Sequence, residues 1–263
     1  MRETHNCLNC EHHITGNFCS HCGQKTDTQR ITFKHFIFHD ILHGVWHFEK
    51  GILFTIKQAM IRPGHAALEY ISGKRIRFYN VFYLTLLLIG LTFFINHIQT
   101  QLSNYYFNTG LEPLTDNAGK NLNAFLSTNA KLIICSFIPL LAINSFILFK
   151  RKKLNFSEHF IISGMMFLGV MIITTISTLL DFTEYIKYID VIPPVIVIAT
   201  PVFILLYLSI NYYKTFSENY TKLQNSIRVL LFIALLLFEL SLLLLLLIGY
   251  FTNGTYDLQI IYQ

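Results

Sequence analysis

Five long apolar stretches dominate the pattern of hydrophobic and polar positions along this 263-residue chain. They cover residues 79–98, 130–149, 160–180, 189–213 and 227–251. Each has roughly the 20 apolar residues that a helix needs to cross a hydrocarbon core about 30 Å thick. The pattern therefore predicts an all-α polytopic membrane protein with about five transmembrane helices in residues 79–263, preceded by cytoplasmic amphipathic helices.

The basic residues indicate how the predicted spans are oriented. Of the 20 lysines and arginines, 17 lie before the first span or in the links between spans two and three and spans four and five. The other side has only Lys120, Lys131 and Lys187. Cytoplasmic segments retain such residues and translocated loops contain few of them, so we expect the N-terminus in the cytoplasm and the C-terminus outside. Residues 1–22 contain no apolar core of a secretory signal peptide, which agrees with this orientation.

Composition supports a membrane protein and argues against one that binds nucleic acid. Hydrophobic residues make up 53% of the chain and charged residues 13%, which is unlike a soluble domain. The net charge of +5 follows mainly from the basic flanks, and the sequence has no RNA-binding stretch or recognition-helix pattern. We therefore expect the lipid bilayer and its anionic headgroups as partners, and no nucleic acid.

Four of the five cysteines form two Cys-x-x-Cys pairs near the N-terminus. Eight residues separate Cys7 and Cys10 from Cys19 and Cys22, a spacing typical of a tetrahedral thiolate site for zinc in a reducing cytoplasm. Four thiolates fill the coordination sphere, so we predict a small zinc ribbon over residues 1–26 in which zinc is structural. A redox-active cysteine pair is the alternative.

Three details of the cysteine pattern refine this prediction. Gly23 follows the second pair and supplies the permissive backbone that such a turn needs, whereas Glu11 stands at the equivalent place after the first pair. About 25 residues bury little core, so metal binding would supply the folding energy of the ribbon. Cys135 lies inside the second predicted span and is interpreted as a packing residue.

Residues 27–78 are predicted to contain interfacial amphipathic helices. In a predicted helix over residues 32–50, four histidines at every fourth position share one face with an aspartate: His35, His39, His43, His47 and Asp40. Three interpretations stay open: the polar face of a helix on the membrane surface, a second metal site formed by an i, i+4 histidine pair, and a pH-responsive surface. The stripe is too long for all four histidines to bind one ion.

A second motif follows this helix and points to a family. Its elements are Thr55, Arg62-Pro63-Gly64, Glu69-Tyr70-Ile71, Gly73-Lys74-Arg75 and Tyr79. With the cysteine pairs, residues 5–85 resemble a bacterial membrane-protein family, the domain of unknown function numbered 3667. The resemblance implies a multi-pass protein of the bacterial inner membrane with an N-terminal zinc ribbon, and it implies no activity. Within the motif, we expect Pro63 to end one helix and Gly64 to allow a sharp turn into a second helix over residues 66–71.

Basic residues of this region form another candidate site. They are Arg62, Lys74, Arg75 and Arg77. We expect them at the cytoplasmic surface, where each basic residue contributes about 1 kcal/mol to the binding of anionic lipid. The alternative is a pocket for an anionic ligand such as a lipid phosphate, framed by Arg62 and Lys74-Arg75 with Glu69 and Tyr70.

Glu239 is an acidic residue near the middle of the fifth predicted span. An ionisable group at that depth is costly and is therefore a functional candidate. We expect Thr174 and Thr175 of the third span, and Ser241 of the same helix, to approach it. Two roles stay open: a protonated glutamate that hydrogen-bonds between helices, or a carboxylate that carries protons or binds a substrate cation.

Three functions are compatible with these patterns. The leading hypothesis is a non-enzymatic recruiting, scaffolding or regulatory protein that binds a protein partner at the cytoplasmic face, because no nucleophile and base are recognisable. The second is a transporter or channel for a small solute or ion that uses Glu239 and a fourth span kinked at Pro201. The third is a metal-dependent membrane lipid enzyme that uses the histidine face.

Overall fold

The computed structural model describes residues 5–26, 51–107, 117–186 and 192–254. The predicted helix over residues 32–50, with its histidine face, lies outside these residues. The described chain begins with a short antiparallel hairpin of β1 (His5–Asn6) and β2 (His13–Ile14). Two short helices follow, α1 (Ile52–Ile61) and α2 (Pro63–Ile71).

Within the described residues, five further helices are long and apolar enough to cross a membrane. They are α3 (Val81–Phe107), α4 (Asn117–Leu148), α5 (Phe156–Leu180), α6 (Ile192–Phe216) and α7 (Lys222–Phe251). The predicted all-α class with about five transmembrane helices is confirmed. Most of these helices extend beyond the apolar stretches, because polar residues can continue a helix once it has left the hydrocarbon core.

Helix α5 forms the centre of the bundle. In its apolar window 67% of the residues are buried, compared with 11% in α6 and 11% in α7. Hydroxyl pairs link α5 to its neighbours: Thr175 to Thr92 of α3 at 2.9 Å, and Ser163 to Tyr212 of α6 at 3.1 Å. The low burial of α6 and α7 leaves much of their apolar surface facing outward, as in helices that contact lipid.

The pair of short helices α1 and α2 packs directly against α5 and α6. Ala59, Ala66 and Ala67 are fully buried at this contact, and their small side chains let the helices approach closely. The Tyr207 hydroxyl of α6 donates to the Ala59 carbonyl at 2.6 Å. The two helices are therefore part of the bundle and not only a cover on its surface.

The connection between α1 and α2 differs from the expectation at Gly64. Helix α1 ends at Ile61, Arg62 forms the turn, and Pro63 is the first residue of α2. Proline is favourable there because the first N–H groups of a helix have no intrahelical partner. Gly64 therefore lies in the first turn of α2, where a Cβ would overlap the Thr215 side chain near the end of α6. Close helix packing, not the turn, requires this glycine.

The links between α4 and α5 and between α6 and α7 meet at the same end of the bundle as α2. Phe149 stacks on Phe216 there, with ring centroids 4.2 Å apart. The Asn225 side chain, fully buried near the start of α7, donates to the Tyr213 carbonyl of α6 at 2.7 Å. These contacts fix the ends of α6 and α7 relative to each other.

Candidate metal centre and the loop that it contacts

The four predicted ligands Cys7, Cys10, Cys19 and Cys22 lie together. Their Sγ atoms are all within 4.8 Å of one another, with 3.6 Å between Cys7 and Cys22 and 3.5 Å between Cys10 and Cys19. A disulfide bond would require about 2.05 Å. Zinc–sulfur bonds of about 2.3 Å in a tetrahedron give roughly 3.8 Å between sulfurs. The four cysteines could therefore hold a metal ion.

Two similar backbone turns arrange the sulfurs. The Glu11 N–H donates to the Cys7 carbonyl at 2.7 Å, and the Gly23 N–H donates to the Cys19 carbonyl at 2.8 Å. Glu11 and Gly23 both have positive φ angles, 61° and 75°. The first turn thus adopts the conformation of the second, although a side chain at this φ is strained and glycine is not.

The same turns influence the pKa values of the thiols. The backbone N–H of Cys22 hydrogen-bonds to Cys19 and, against desolvation, lowers the pKa of Cys19 to about 6. At Cys10 the backbone N–H of His12 lowers the pKa, but desolvation and hydrogen bonds with the other thiols outweigh it and raise the pKa to about 12. The thiolate of Cys19 is therefore favoured before metal binds, and a metal ion would have to displace the proton of Cys10.

The cysteine module, residues 5–26, contacts the loop between α2 and α3. The buried Gln24 side chain bridges two backbone groups of that loop: its Nε2 donates to the Gly73 carbonyl at 2.7 Å, and its Oε1 accepts from the Arg75 N–H at 3.3 Å. Leu8 packs against Gly73, where a Cβ would clash with the leucine side chain. Gly73 also has a φ of 105°, which L side chains rarely adopt. Both the backbone and the contact with the module therefore require glycine at this position.

Two predicted basic residues in this loop contact neighbouring parts of the protein. Arg77 forms an ion pair with Glu69, with Nη2 and Oε2 3.0 Å apart. The Arg75 Nε donates to the Tyr70 carbonyl at 3.3 Å, and its guanidinium lies 5.6 Å from the centre of the Tyr70 ring. These contacts hold the loop against α2, so both arginines help to position the surface that receives Gln24.

The other two predicted basic residues are placed differently. Arg62 stands at the opposite end of α2, roughly 13 Å along the helix from the loop, and its Nε donates to Gln58 at 2.6 Å. Lys74 is half-buried in the loop itself. The structure therefore brings Glu69 together with Arg77 and Tyr70 together with Arg75, whereas Arg62 contacts Gln58. Contact of these residues with anionic lipid stays a prediction.

Glu239 pairs with a residue that the sequence did not indicate. The fully buried Asn144 of α4 donates from Nδ2 to the Glu239 carboxylate at 2.7 Å. The residues expected to approach it form other hydrogen bonds: Thr175 pairs with a threonine of α3, while Thr174 and Ser241 donate to carbonyls of their own helices. Glu239 thus links α7 to α4.

Some candidate residues are not tested by the structure, and others were missed. The predicted histidine site, His35, His39, His43 and His47 with Asp40, lies outside the described residues. Gln24 and Asn144 had no recognisable signal, because a polar residue after a cysteine pair or near the end of a span is ordinary.

The fold and the cysteine site define a multi-pass membrane protein with an N-terminal module that could hold a metal ion. Residues 49–94 match the model of a family described as Protein of unknown function (DUF3667). This match confirms the family resemblance inferred from the motif. It spans α1, α2, the loop that contacts Gln24 and the first half of α3, and it begins after the cysteine module. Comparisons with curated proteins and with solved structures gave no match.

Proposed function

We propose that this protein is a non-enzymatic scaffolding or regulatory protein of the bacterial inner membrane, whose zinc ribbon at the cytoplasmic face recruits a protein partner. The attachment of the cysteine module to the loop before α3, through Gln24 and Leu8, carries this proposal. The attachment presents a small folded module at a defined place beside the membrane. The excess of basic residues on one side of the spans supports the cytoplasmic orientation.

Zinc is the metal that best fits these donors. Four thiolates favour soft or borderline ions, and the separations between the sulfurs agree with tetrahedral coordination. Cys7, Cys10, Cys19 and Cys22 would leave no coordination position for water or substrate, so the ion would stabilise the module and not catalyse a reaction. The low apolar content of so small a module makes its folding dependent on that ion.

The metal content of the full-length purified protein tests this part. We expect one zinc per chain, its loss in Cys10→Ser, and its retention when the four histidines at 35, 39, 43 and 47 are replaced by alanine. Absence of zinc from protein purified without chelator would contradict the proposal. A second metal ion that disappears only with the histidine substitutions would instead support a metal-dependent lipid enzyme.

The recruiting surface can be tested at Phe18. This side chain is 62% exposed although it lies next to the buried Cys19, and exposed aromatic residues commonly contribute strongly to protein interfaces. A partner that copurifies with the wild type should be lost with Phe18→Ala while zinc content stays unchanged. Thr15→Ala, an exposed position of the same module, is the matched control. Equal copurification with all three proteins would contradict recruitment through this surface.

A transporter is the second candidate, and the Asn144–Glu239 contact favours it. Leu240, the residue after Glu239, lines a cavity of about 450 Å³ between five helices, together with Leu237 and Pro201. Its walls are mostly apolar, which disfavours an ion path and makes this the weaker candidate. Solute flux into liposomes that is abolished by Glu239→Gln would support transport. Flux that Glu239→Gln leaves unchanged would exclude a role for this residue in transport.

A further inference from the structure

A lateral groove lies between α6 and α7 and opens toward the outside of the bundle. It encloses about 610 Å³, and its walls are mainly aliphatic side chains that include Ile210, Leu230 and Ile233. Ile210 and Leu230 are 49% and 69% exposed. Because both helices are apolar enough to cross a membrane, these walls face the hydrocarbon region of the bilayer.

One end of the groove is polar and positively charged. Lys214, in the last turn of α6, is the charged residue among the described residues that line it. The hydroxyl-bearing residues Tyr213 and Ser226 stand at the same end, and no acidic residue of the described chain lines the groove. Desolvation lowers the pKa of Lys152, and the carboxylate of Glu218 raises it by a smaller amount. Glu218 therefore lies near Lys152. The groove therefore combines a cationic mouth with an apolar floor.

The length of the groove corresponds to one leaflet of a bilayer. From Ser226 at its polar end to Leu237 at its apolar end, α7 advances roughly 16 Å at 1.5 Å per residue. Half of a hydrocarbon core is about 15 Å. Leu237 also lines the cavity enclosed by the five helices, so the groove ends against that cavity.

We propose that this groove is a binding site for an anionic phospholipid, with the phosphate beside Lys214 and one acyl chain lying along α6 and α7 toward Leu237. Charge complementarity at the mouth and the match to the depth of one leaflet select this occupant. The site is separate from the cysteine module and does not depend on the recruiting function proposed above. None of the basic residues that flank α2 lines the groove.

Binding of defined lipids to the full-length protein in detergent, followed by native mass spectrometry, tests the site. The probes are phosphatidylglycerol and phosphatidylcholine with identical acyl chains. We expect the first phosphatidylglycerol to bind about fivefold more tightly, the effect of one basic residue near an anionic headgroup. Lys214→Gln should abolish this preference and Lys214→Arg should retain it. Lys222→Gln is the matched control, because Lys222 lies in the first turn of α7 and does not line the groove.

A second pair of variants tests the apolar floor. Ala234→Trp should fill the groove and weaken binding of the first molecule of either lipid, whereas Leu231→Trp on a neighbouring outward face should not. Equal effects of Lys214→Gln and Lys222→Gln, or unchanged lipid binding by Ala234→Trp, would overturn the proposal. A shift from dimer to monomer in Ala234→Trp, without a change in lipid binding, would assign the groove to a second copy of the chain and would also overturn it.

Discussion

Replacement of Gln24 by alanine should release the cysteine module from the α2–α3 loop without removing its metal. Gln24 is 4% exposed, and its amide makes hydrogen bonds with the Gly73 carbonyl and the Arg75 N–H. A net hydrogen bond contributes about 1 kcal/mol, so the loss of both should weaken the attachment by about 2 kcal/mol. The population of the detached state should then rise roughly 25-fold. The four cysteines are unchanged, so zinc should still bind.

Hydrogen exchange of the full-length protein, read by mass spectrometry, measures this effect. Segment 72–78 should exchange roughly 25-fold faster in Gln24→Ala if its exchange requires detachment of the module. Thr26→Ala is the matched control, because Thr26 is exposed and its hydroxyl donates within the module, to the Asn17 carbonyl. Zinc content is measured on the same samples. Unchanged exchange in the segment, or loss of zinc from Gln24→Ala, would refute the reasoning.

Three further predictions test other parts of the structure. Glu11→Gly should raise the apparent zinc affinity about fivefold and Gly23→Ala should lower it by a similar factor, because about 1 kcal/mol of backbone strain at positive φ is coupled to metal binding. Competition with a chelator measures both affinities. Changes of the same sign in the two variants would contradict this explanation. Gly64→Ala should lower the thermal midpoint, and adding Thr215→Ala should recover only part of the loss, since the Thr215 Cβ would remain 2.7 Å from the new methyl group. Glu239→Gln should retain the hydrogen bond to Asn144 and leave the thermal midpoint of unfolding unchanged, whereas Glu239→Leu should lower that midpoint. Equal midpoints for the two variants would show that this hydrogen bond does not stabilise the bundle.

Features that depend on local pattern could be predicted from the sequence. The five helices follow from apolar stretches long enough to cross a bilayer, and the four cysteines meet because each pair lies in a short turn. The roles of Gln24 and Asn144 could not be predicted, because their partners are 49 and 95 residues away in the chain. Gly64 illustrates a different limit. A glycine after proline is a reliable signal for a turn, but here the neighbour on α6 makes glycine necessary.

The family match separates the two sides of the module contact. Gly73 accepts a hydrogen bond from Gln24, and Arg75 donates one to it. Both loop residues lie inside the matched residues 49–94, whereas Leu8 and Gln24 lie before them. The loop also has its own support, because Arg77 pairs with Glu69 and Arg75 contacts Tyr70, both within the matched segment. The loop and the two short helices can therefore keep their packing against α5 and α6 when the module detaches. Detachment would expose a preformed surface on the bundle, so a partner that competes with the cysteine module for this loop would need little rearrangement of the membrane helices to bind.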